Sequence, residues 1–151
     1  MIYERVPIEL SYRQAYDVGY DVYAHLNDKR VARAEISVCS DGGSRVPVPW
    51  NRWVVAPRGA SRAYVGNVRV CDDFQKRGIG TALMRYVVLV AVLDLKADVV
   101  TLTSEVHAIR VYKRAGFIAT DPTPDEYPRW THMIHVSGLA AANLWPPFIR
   151  E

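Results

Sequence analysis

The sequence predicts an α/β domain of mixed, α+β character, and three observations carry that expectation. The first forty residues hold β-rich segments separated by turn residues. The middle of the chain reads as a strand, a glycine loop and a long helix, from Ala63 to about Leu95. From Val99 to Thr120 a second strand–helix–strand order follows on a smaller scale. Elements in this succession must share one core of helices laid against a sheet.

At 151 residues the chain suits one domain, spanning 1–151, which buries about two thirds of its unfolded surface. Half of the residues are apolar and 23% are charged, a balance that argues against disorder for the bulk of the chain. No internal repeat, low-complexity tract or dividing linker interrupts it.

Taken in order, Ile2 to Leu10 is a candidate strand, and Pro7 favours an edge position for it. Leu10 to Val18 stands open between a short helix and an extended segment. Tyr20 to Leu26 is β-rich, Asn27-Asp28-Lys29-Arg30 is a turn candidate, and Val31 to Val38 returns as a strand. Within it Ala32, Ala34, Ile36 and Val38 alternate with Arg33, Glu35 and Ser37, the period of a half-buried strand. Ser40 to Arg62 is loop-like, with Gly42-Gly43, Pro47, Pro49, Pro57 and Gly59, and Trp53 to Val55 is a short strand candidate inside it.

Ala63 to Val70 is the next strand. Gly78 to about Leu95 is too long for a strand and is rich in Ala82, Leu83, Met84 and Leu89, so it reads as a helix buried on more than one face. Val99 to Thr103 is a buried strand. Val106 to Ala115 is a helix with Ser104 as the expected N-cap and Gly116 as the C′ glycine. Phe117 to Thr120 and Thr131 to Val136 close as strands around a loop with Pro122, Pro124 and Pro128, and the tail from Gly138 carries Trp145.

The net charge of +3 is ordinary for a small domain and does not mark a nucleic-acid binder by itself. Its distribution is uneven. Between Asp41 and Asp72 lie Arg45, Arg52, Arg58, Arg62 and Arg69 with no acid, interleaved with Trp50, Trp53 and Tyr64. Two cysteines, Cys39 and Cys71, are too few for a disulfide framework and lack metal-site spacing, so no metal is expected. No basic-then-apolar leader opens the sequence, and the longest apolar run, Tyr86 to Leu93, is shorter than the roughly 20 residues of a membrane span. A cytoplasmic protein without membrane contact is the expectation.

The chemistry is concentrated in one segment. After the strand ending at Val70 comes Gln75-Lys76-Arg77-Gly78-Ile79-Gly80-Thr81, and then the long helix. A helix start preceded by glycine exposes unpaired N–H groups and the positive end of the helix dipole, and Lys76 and Arg77 add charge there. This is an anion cradle sized for a phosphate or pyrophosphate. Close packing at the glycines and a solvated Lys-Arg corner form the bland alternative. The segment lacks the lysine pattern of a P-loop, and Leu83 stands where a dinucleotide fingerprint needs its third glycine.

Gln75-x-x-Gly78-x-Gly80 after such a strand resembles the acyl-CoA signature of the GNAT superfamily of N-acetyltransferases. A second segment, Ala108-Ile109-Arg110-Val111-Tyr112-Lys113-Arg114-Ala115-Gly116-Phe117, is similar to that family's later helix and strand. The resemblance covers about residues 62 to 136. It implies a mixed, mostly antiparallel sheet flanked by helices and splayed between its fourth and fifth strands, here Ala63–Val70 and Val99–Thr103. Residues 1 to 20 leave little room for the two helices that relatives carry near the N-terminus, so these are expected to be reduced.

The resemblance further implies acetyl-CoA as co-substrate and transfer of its acetyl group to a primary amine by direct attack on the thioester. The pantetheine arm would lie in the splay against Val68, Arg69 and Val70, with the pyrophosphate over Gln75, Lys76, Arg77, Gly78, Ile79, Gly80 and Thr81. Tyr112 matches the position that commonly protonates the CoA sulfur, and a phenol can donate a hydrogen bond to a thiolate without being charged itself. It also fits a core aromatic in line with Ala108 and Ala115.

The strand Ala63 to Val70 holds no acid for a general base, and Tyr64 occupies the place where some relatives have one. Glu105 ranks first instead, although many relatives carry an asparagine there that contacts CoA. His107 reads as a surface helix residue, and Cys71 as an inert thiol rather than an acyl carrier. The acceptor is expected to be an amine-bearing small molecule or protein. Asp121, Asp125 and Glu126 are candidates to attract it, or ordinary turn residues. A non-catalytic CoA- or partner-binding module and an RNA-directed member using the Arg/Trp loop stand as alternatives, and a homodimer is compatible with the sequence.

Overall fold

The computed structural model describes residues 8–40, 61–119 and 130–135. Seven strands form one sheet: β1 Glu9–Tyr16, β2 Gly19–Leu26, β3 Lys29–Ser40, β4 Ser61–Val70, β5 Val99–Glu105, β6 Phe117–Ala119 and β7 Trp130–His135. Their spatial order is β1-β2-β3-β4-β5-β7-β6. Every neighbouring pair is antiparallel except β4 and β5, which run parallel. Among the described residues two α-helices accompany it, α1 Ile79–Leu89, prolonged by a π-helical turn over Val90–Asp94, and the short α2 Ile109–Arg114.

The first three strands form a meander that follows from local chemistry. Asn27 and Asp28 make a two-residue turn with φ of 49° and 65°. Two left-handed residues in succession match the twist of a hairpin, and Asn and Asp are the side chains that tolerate this backbone best. The open reading of Leu10 to Val18 resolves as strand. Leu10 pairs with Ala24 and Tyr12 with Val22, and the segment turns back only at Asp17 and Val18. The strand expected over Ile2 to Leu10 therefore begins only at Glu9 among the described residues.

On β3 the even positions behave as the alternation requires. Ala32, Ala34 and Ile36 are buried and share a core with Val22, Ala63 and Val65, roofed by Ile79, Leu83, Met84 and Val87 of α1. Leu83 and Met84 are fully buried, so truncating either to Ala costs about 2–5 kcal/mol. The odd positions face the other side of the sheet. There Arg33, Glu35 and Ser37 stand in register with Arg69, Gly66 and Tyr64 of β4.

The C-terminal half differs from its sequence expectation at one cap. Ser104 lies inside β5 rather than at a helix start, and its hydroxyl donates to the Glu105 carbonyl at 2.8 Å. β5 runs on to Glu105 because β7 pairs with it there, Ser104 against Thr131 and Glu105 against Trp130. The helix expected from Val106 opens as a 3₁₀ turn over Val106–Ala108 and becomes α-helical at Ile109. Gly116 does end it, with φ of 101°.

Among the described residues no helix precedes β4, in line with reduced N-terminal helices. No helix among them is long and apolar enough to cross a membrane. The Arg- and Trp-bearing segment from Arg45 to Arg58 with its strand candidate at Trp53, the acids Asp121, Asp125 and Glu126, and Trp145 of the tail lie outside the described residues.

Candidate active site

β4 and β5 pair only over Arg62–Val65 against Val99–Leu102. Past that point β4 continues to Val70 and β5 to Glu105 without a shared ladder, and a cleft of about 520 Å³ opens between them. Its walls include Val68 and Arg69 from β4, Thr103 and Glu105 from β5, and Tyr112 from α2. That volume is in the range of small-molecule sites. The expected splay between the fourth and fifth strands is therefore a physical cavity.

A β-bulge shapes the β4 wall. Arg33 pairs with Arg69 and Glu35 with Gly66, so two steps along β3 match three along β4. The extra residue falls at Asn67 and Val68, and Asn67 takes a left-handed φ of 50°. A bulge leaves a backbone unit out of the ladder and bends the strand, here beside the cleft.

At the far end of β4 the chain enters the glycine loop. The Gln75 side-chain amide donates to the Val70 carbonyl at 3.1 Å and to Asp72 Oδ1 at 3.2 Å, which ties the loop back to its strand. Lys76 and Gly78 are both left-handed, with φ of 63° and 83°. Left-handed Gly78 directly before the right-handed start of α1 is the kind of pairing from which anion-binding nests are built. Gly78 occupies the N-cap of α1 without any side-chain cap. The helix ladder starts with Ala82 N–H donating to the Gly78 carbonyl, so the N–H groups of Ile79, Gly80 and Thr81 precede it.

The two glycines have different reasons to be there. A Cβ on Gly78 would meet nothing within 4 Å, so the space over the helix start is open. A Cβ on Gly80 would stand 3.3 Å from Val111 Cγ1 and 3.6 Å from Val70 Cγ2. Gly80 thus lets α1 approach α2 and β4. Ile79 is 4% exposed and belongs to the core, so only its backbone reaches the loop's outer side. Lys76 and Arg77 are exposed, and the Arg77 guanidinium lies 5.3 Å from the centre of the Phe74 ring, as does Lys29 Nζ. Asp72 and Asp73 occupy the 3₁₀ turn just before the loop.

Tyr112 satisfies both readings of its sequence position. It packs edge-on against Phe117 at 6.3 Å within the core cluster, and it lines the cleft. It is only 8% exposed. Burial first, then the nearby Glu105 carboxylate and the Tyr64 phenol, push its pKa up to about 12. The phenol therefore keeps its proton throughout the physiological range. Tyr64 also lines the cleft, and its hydroxyl donates to Thr103 Oγ1 at 3.5 Å.

Glu105 stands at the mouth of the cleft with His107, whose Nε2 lies 3.1 Å from Glu105 Oε2. His107 is exposed, as a surface residue should be, yet it shares that wall. Cys71 is exposed and free, with its thiol turned toward the Arg30 carbonyl at 3.8 Å. The cleft also gathers Glu35, Ser37, Asn67 and Thr103, which the motifs did not single out. Glu35 and Ser37 occupy the polar positions of the alternating β3, and that alternation was the one signal available for them.

The structure thus brings Val68, Arg69, Glu105 and Tyr112 to one cavity and sets Gln75 to Thr81 at the end of one of its walls. Val70 is turned to Gly80 and packing. Among the described residues no group of three His, Cys, Asp or Glu stands together to hold a metal ion.

Comparison with known proteins agrees with this architecture. A family model for the acetyltransferase (GNAT) domain matches residues 19–119. No curated protein sequence matches the chain. Among solved structures, Escherichia coli ElaA is 20% identical with a TM-score of 0.57, over 78% of this chain and 68% of its own. A Vibrio cholerae spermidine N-acetyltransferase, solved with CoA and spermine, is 13% identical with a TM-score of 0.57, over 78% of this chain and 65% of its own. Arabidopsis thaliana Naa50, solved with a bisubstrate analogue of CoA and a peptide, is 21% identical with a TM-score of 0.50, over 76% of this chain and 70% of its own. At these identities the likeness is one of fold, and the family model spans the strand, loop and helix that carry the cleft. The chain belongs to the GNAT acetyltransferase family.

Proposed function

We propose that the protein is an acetyl-CoA-dependent N-acetyltransferase that transfers the acetyl group to a primary amine by direct attack on the thioester. The observation that supports this reading is that the glycine loop follows directly on β4, whose Val68 and Arg69 line the same cleft in which Tyr112 holds a buried, protonated phenol. The loop fits the anionic end of acetyl-CoA. The open space over Gly78, the first N–H groups of α1 and the charges of Lys76 and Arg77 are all suited to a pyrophosphate. Val68 and Arg69 then border the arm, and the bulge at Asn67 leaves backbone beside the thioester that the ladder does not use.

In the reaction the acceptor ammonium first loses a proton to expose its lone pair. A nitrogen–carbon bond then forms, the carbon–sulfur bond breaks with its electron pair going to sulfur, and the new amide nitrogen gives up a second proton. Glu105 is our assignment for the base, with His107 leading the proton to solvent. Tyr112 serves the leaving sulfur. A phenol with a pKa of about 12 does not surrender its proton to a thiolate whose thiol ionises near 8.5. It stabilises the thiolate by a charge-assisted hydrogen bond instead. The ligands of the two neighbours, a polyamine and a peptide analogue joined to CoA, support an amine-bearing acceptor of either size.

The test is thermal unfolding with and without acetyl-CoA, followed by free-thiol release with a panel of amines. Ligand at about 100 times its dissociation constant adds about 2.7 kcal/mol of stability, a rise of a few degrees in Tm. A shift together with amine-dependent thiol release is the expected result. A shift without release from any amine favours a CoA-binding module, and the absence of a shift at millimolar ligand overturns the reading.

A further inference from the structure

Glu35 lies on β3, one strand away from β4, and it lines the cleft. Both of its oxygens are held. Oε1 accepts from the Arg33 guanidinium, and Oε2 accepts from the Asn67 side-chain amide at 2.7 Å. Asn67 reaches across from the bulge, where its left-handed backbone turns β4 at this level.

The charge around this carboxylate is uneven. The same Arg33 nitrogen is shared with Asp21, whose Oδ1 lies 3.8 Å away. Two carboxylates thus divide one guanidinium. Arg69 is the cation that lines the cleft, and it sits at the end of β4 that runs into the glycine loop, where phosphates are expected. The fixed carboxylate lies further back along the same strands.

Stability alone does not explain the arrangement. The side chains of Arg33 and Glu35 are 39% and 37% exposed, and such pairs contribute at most about 1 kcal/mol. A carboxylate offers about four lone-pair sites, and one hydrogen bond on each oxygen leaves the remainder available to a ligand in the cavity. Orientation by two donors costs a ligand less than ordering a free side chain would.

We infer that Glu35, oriented by Asn67, holds the cationic nitrogen of the acceptor inside the cleft, so that the site selects protonated alkylamines over neutral or acidic acceptors. The role rests on the acyltransferase reading above, whereas the binding site is testable without it. The attacking amine would be gathered as an ammonium by Glu35 and then lose its proton to Glu105.

The experiment is calorimetry of the full chain with CoA present, using 1,4-diaminobutane as the cationic probe and 1,4-butanediol as its neutral counterpart. Without an acetyl donor no turnover interferes. The diamine should bind the parent protein and the diol should not. Glu35→Gln should weaken diamine binding at least tenfold while leaving CoA binding unchanged. Asn67→Gly keeps the left-handed backbone and removes only the amide donor, so a several-fold loss is expected there. If Glu35→Gln does not fold, the Asn67→Gly result decides. Equal diamine affinity in parent and variant, binding of the diol as tight as the diamine, or no diamine binding to the parent would overturn the inference. Failure of CoA to bind the parent would count against the acyltransferase reading alone.

Discussion

Gly80 and Val111 meet where α1 crosses α2: a Cβ placed on Gly80 would stand 3.3 Å from Val111 Cγ1. The second glycine of the loop signature is therefore a packing residue, while Gly78, two positions earlier, supplies a left-handed backbone and open space, where we propose the pyrophosphate sits. Substitutions at the two positions should separate stability from binding. Gly80→Ala gains helix propensity of up to about 1 kcal/mol but forces Val111 or Val70 to give way, at about 1–3 kcal/mol. A net loss of roughly 1 kcal/mol in denaturant unfolding is expected, with acetyl-CoA affinity nearly unchanged.

Gly78→Asp should do the reverse. Aspartate tolerates left-handed backbone better than most residues, and nothing stands within 4 Å of its Cβ, so the fold should survive. The added carboxylate would occupy the space over the helix start and repel a pyrophosphate. The thermal shift with acetyl-CoA should disappear while the unliganded Tm falls by only a few degrees.

Tyr112→Phe removes the hydroxyl without removing the ring that packs on Phe117. A hydrogen bond to a charged sulfur contributes about 1.5–3 kcal/mol, so turnover should fall about 10- to 100-fold with the acetyl-CoA shift intact. The same variant tests the buried phenol directly. Tyr112 ionises near 10 in the unfolded chain and near 12 in the folded one. Between those values the unfolded chain binds fewer protons, so stability present below pH 10 is lost as pH rises toward 12. The parent should lose about 2–3 kcal/mol more than Tyr112→Phe across that window, on the order of 1.4 kcal/mol per unit.

His135 makes the opposite prediction in acid. Its Nε2 donates to the Ala115 carbonyl at 3.1 Å, at the end of the helix that carries Tyr112, and its ring packs on Phe117 at 5.1 Å. Burial lowers its pKa, and the bond to Ala115 offsets that only in part. As pH falls below about 6.5 the unfolded chain takes up the proton first, so folded stability declines. His135→Gln, which can keep an N–H for Ala115, should flatten the slope of Tm against pH below about 6.5.

Cys71 sits exposed beside the loop, and direct transfer has no use for it. Cys71→Ser should leave thiol release within about twofold of the parent. A loss of tenfold or more would point to an acyl-cysteine step instead.

Some of this molecule is local enough to be legible in the residues. Asn27 to Arg30 read as a turn, and the structure narrows it to Asn27-Asp28, a pair that accepts two left-handed positions, with β3 already begun at Lys29. Gly78 marked the start of α1 and Gly116 the end of α2, since each sits at a positive φ. The alternation of β3 separated a core face from a polar face. The motif around Tyr112 led to a residue that does line the cleft.

Other features required partners distant in the chain. Leu10 to Val18 has no decisive period of its own and became a strand because β2 offered it a ladder. Ser104 had the chemistry of an N-cap, but pairing of β5 with β7 carried the strand past it. Glu35 and Asn67 are 32 positions apart in the chain and meet at 2.7 Å only because the register of β3 and β4 slips by one residue. The amino-acid sequence by itself determined the loop, the helices it starts and the family they belong to, because those depend on neighbours a few residues away. That Asn67 meets Glu35 at the cleft was decided by the tertiary structure, because a one-residue bulge in β4 sets where its side chains point, and the position of that bulge depends on β3 beside it.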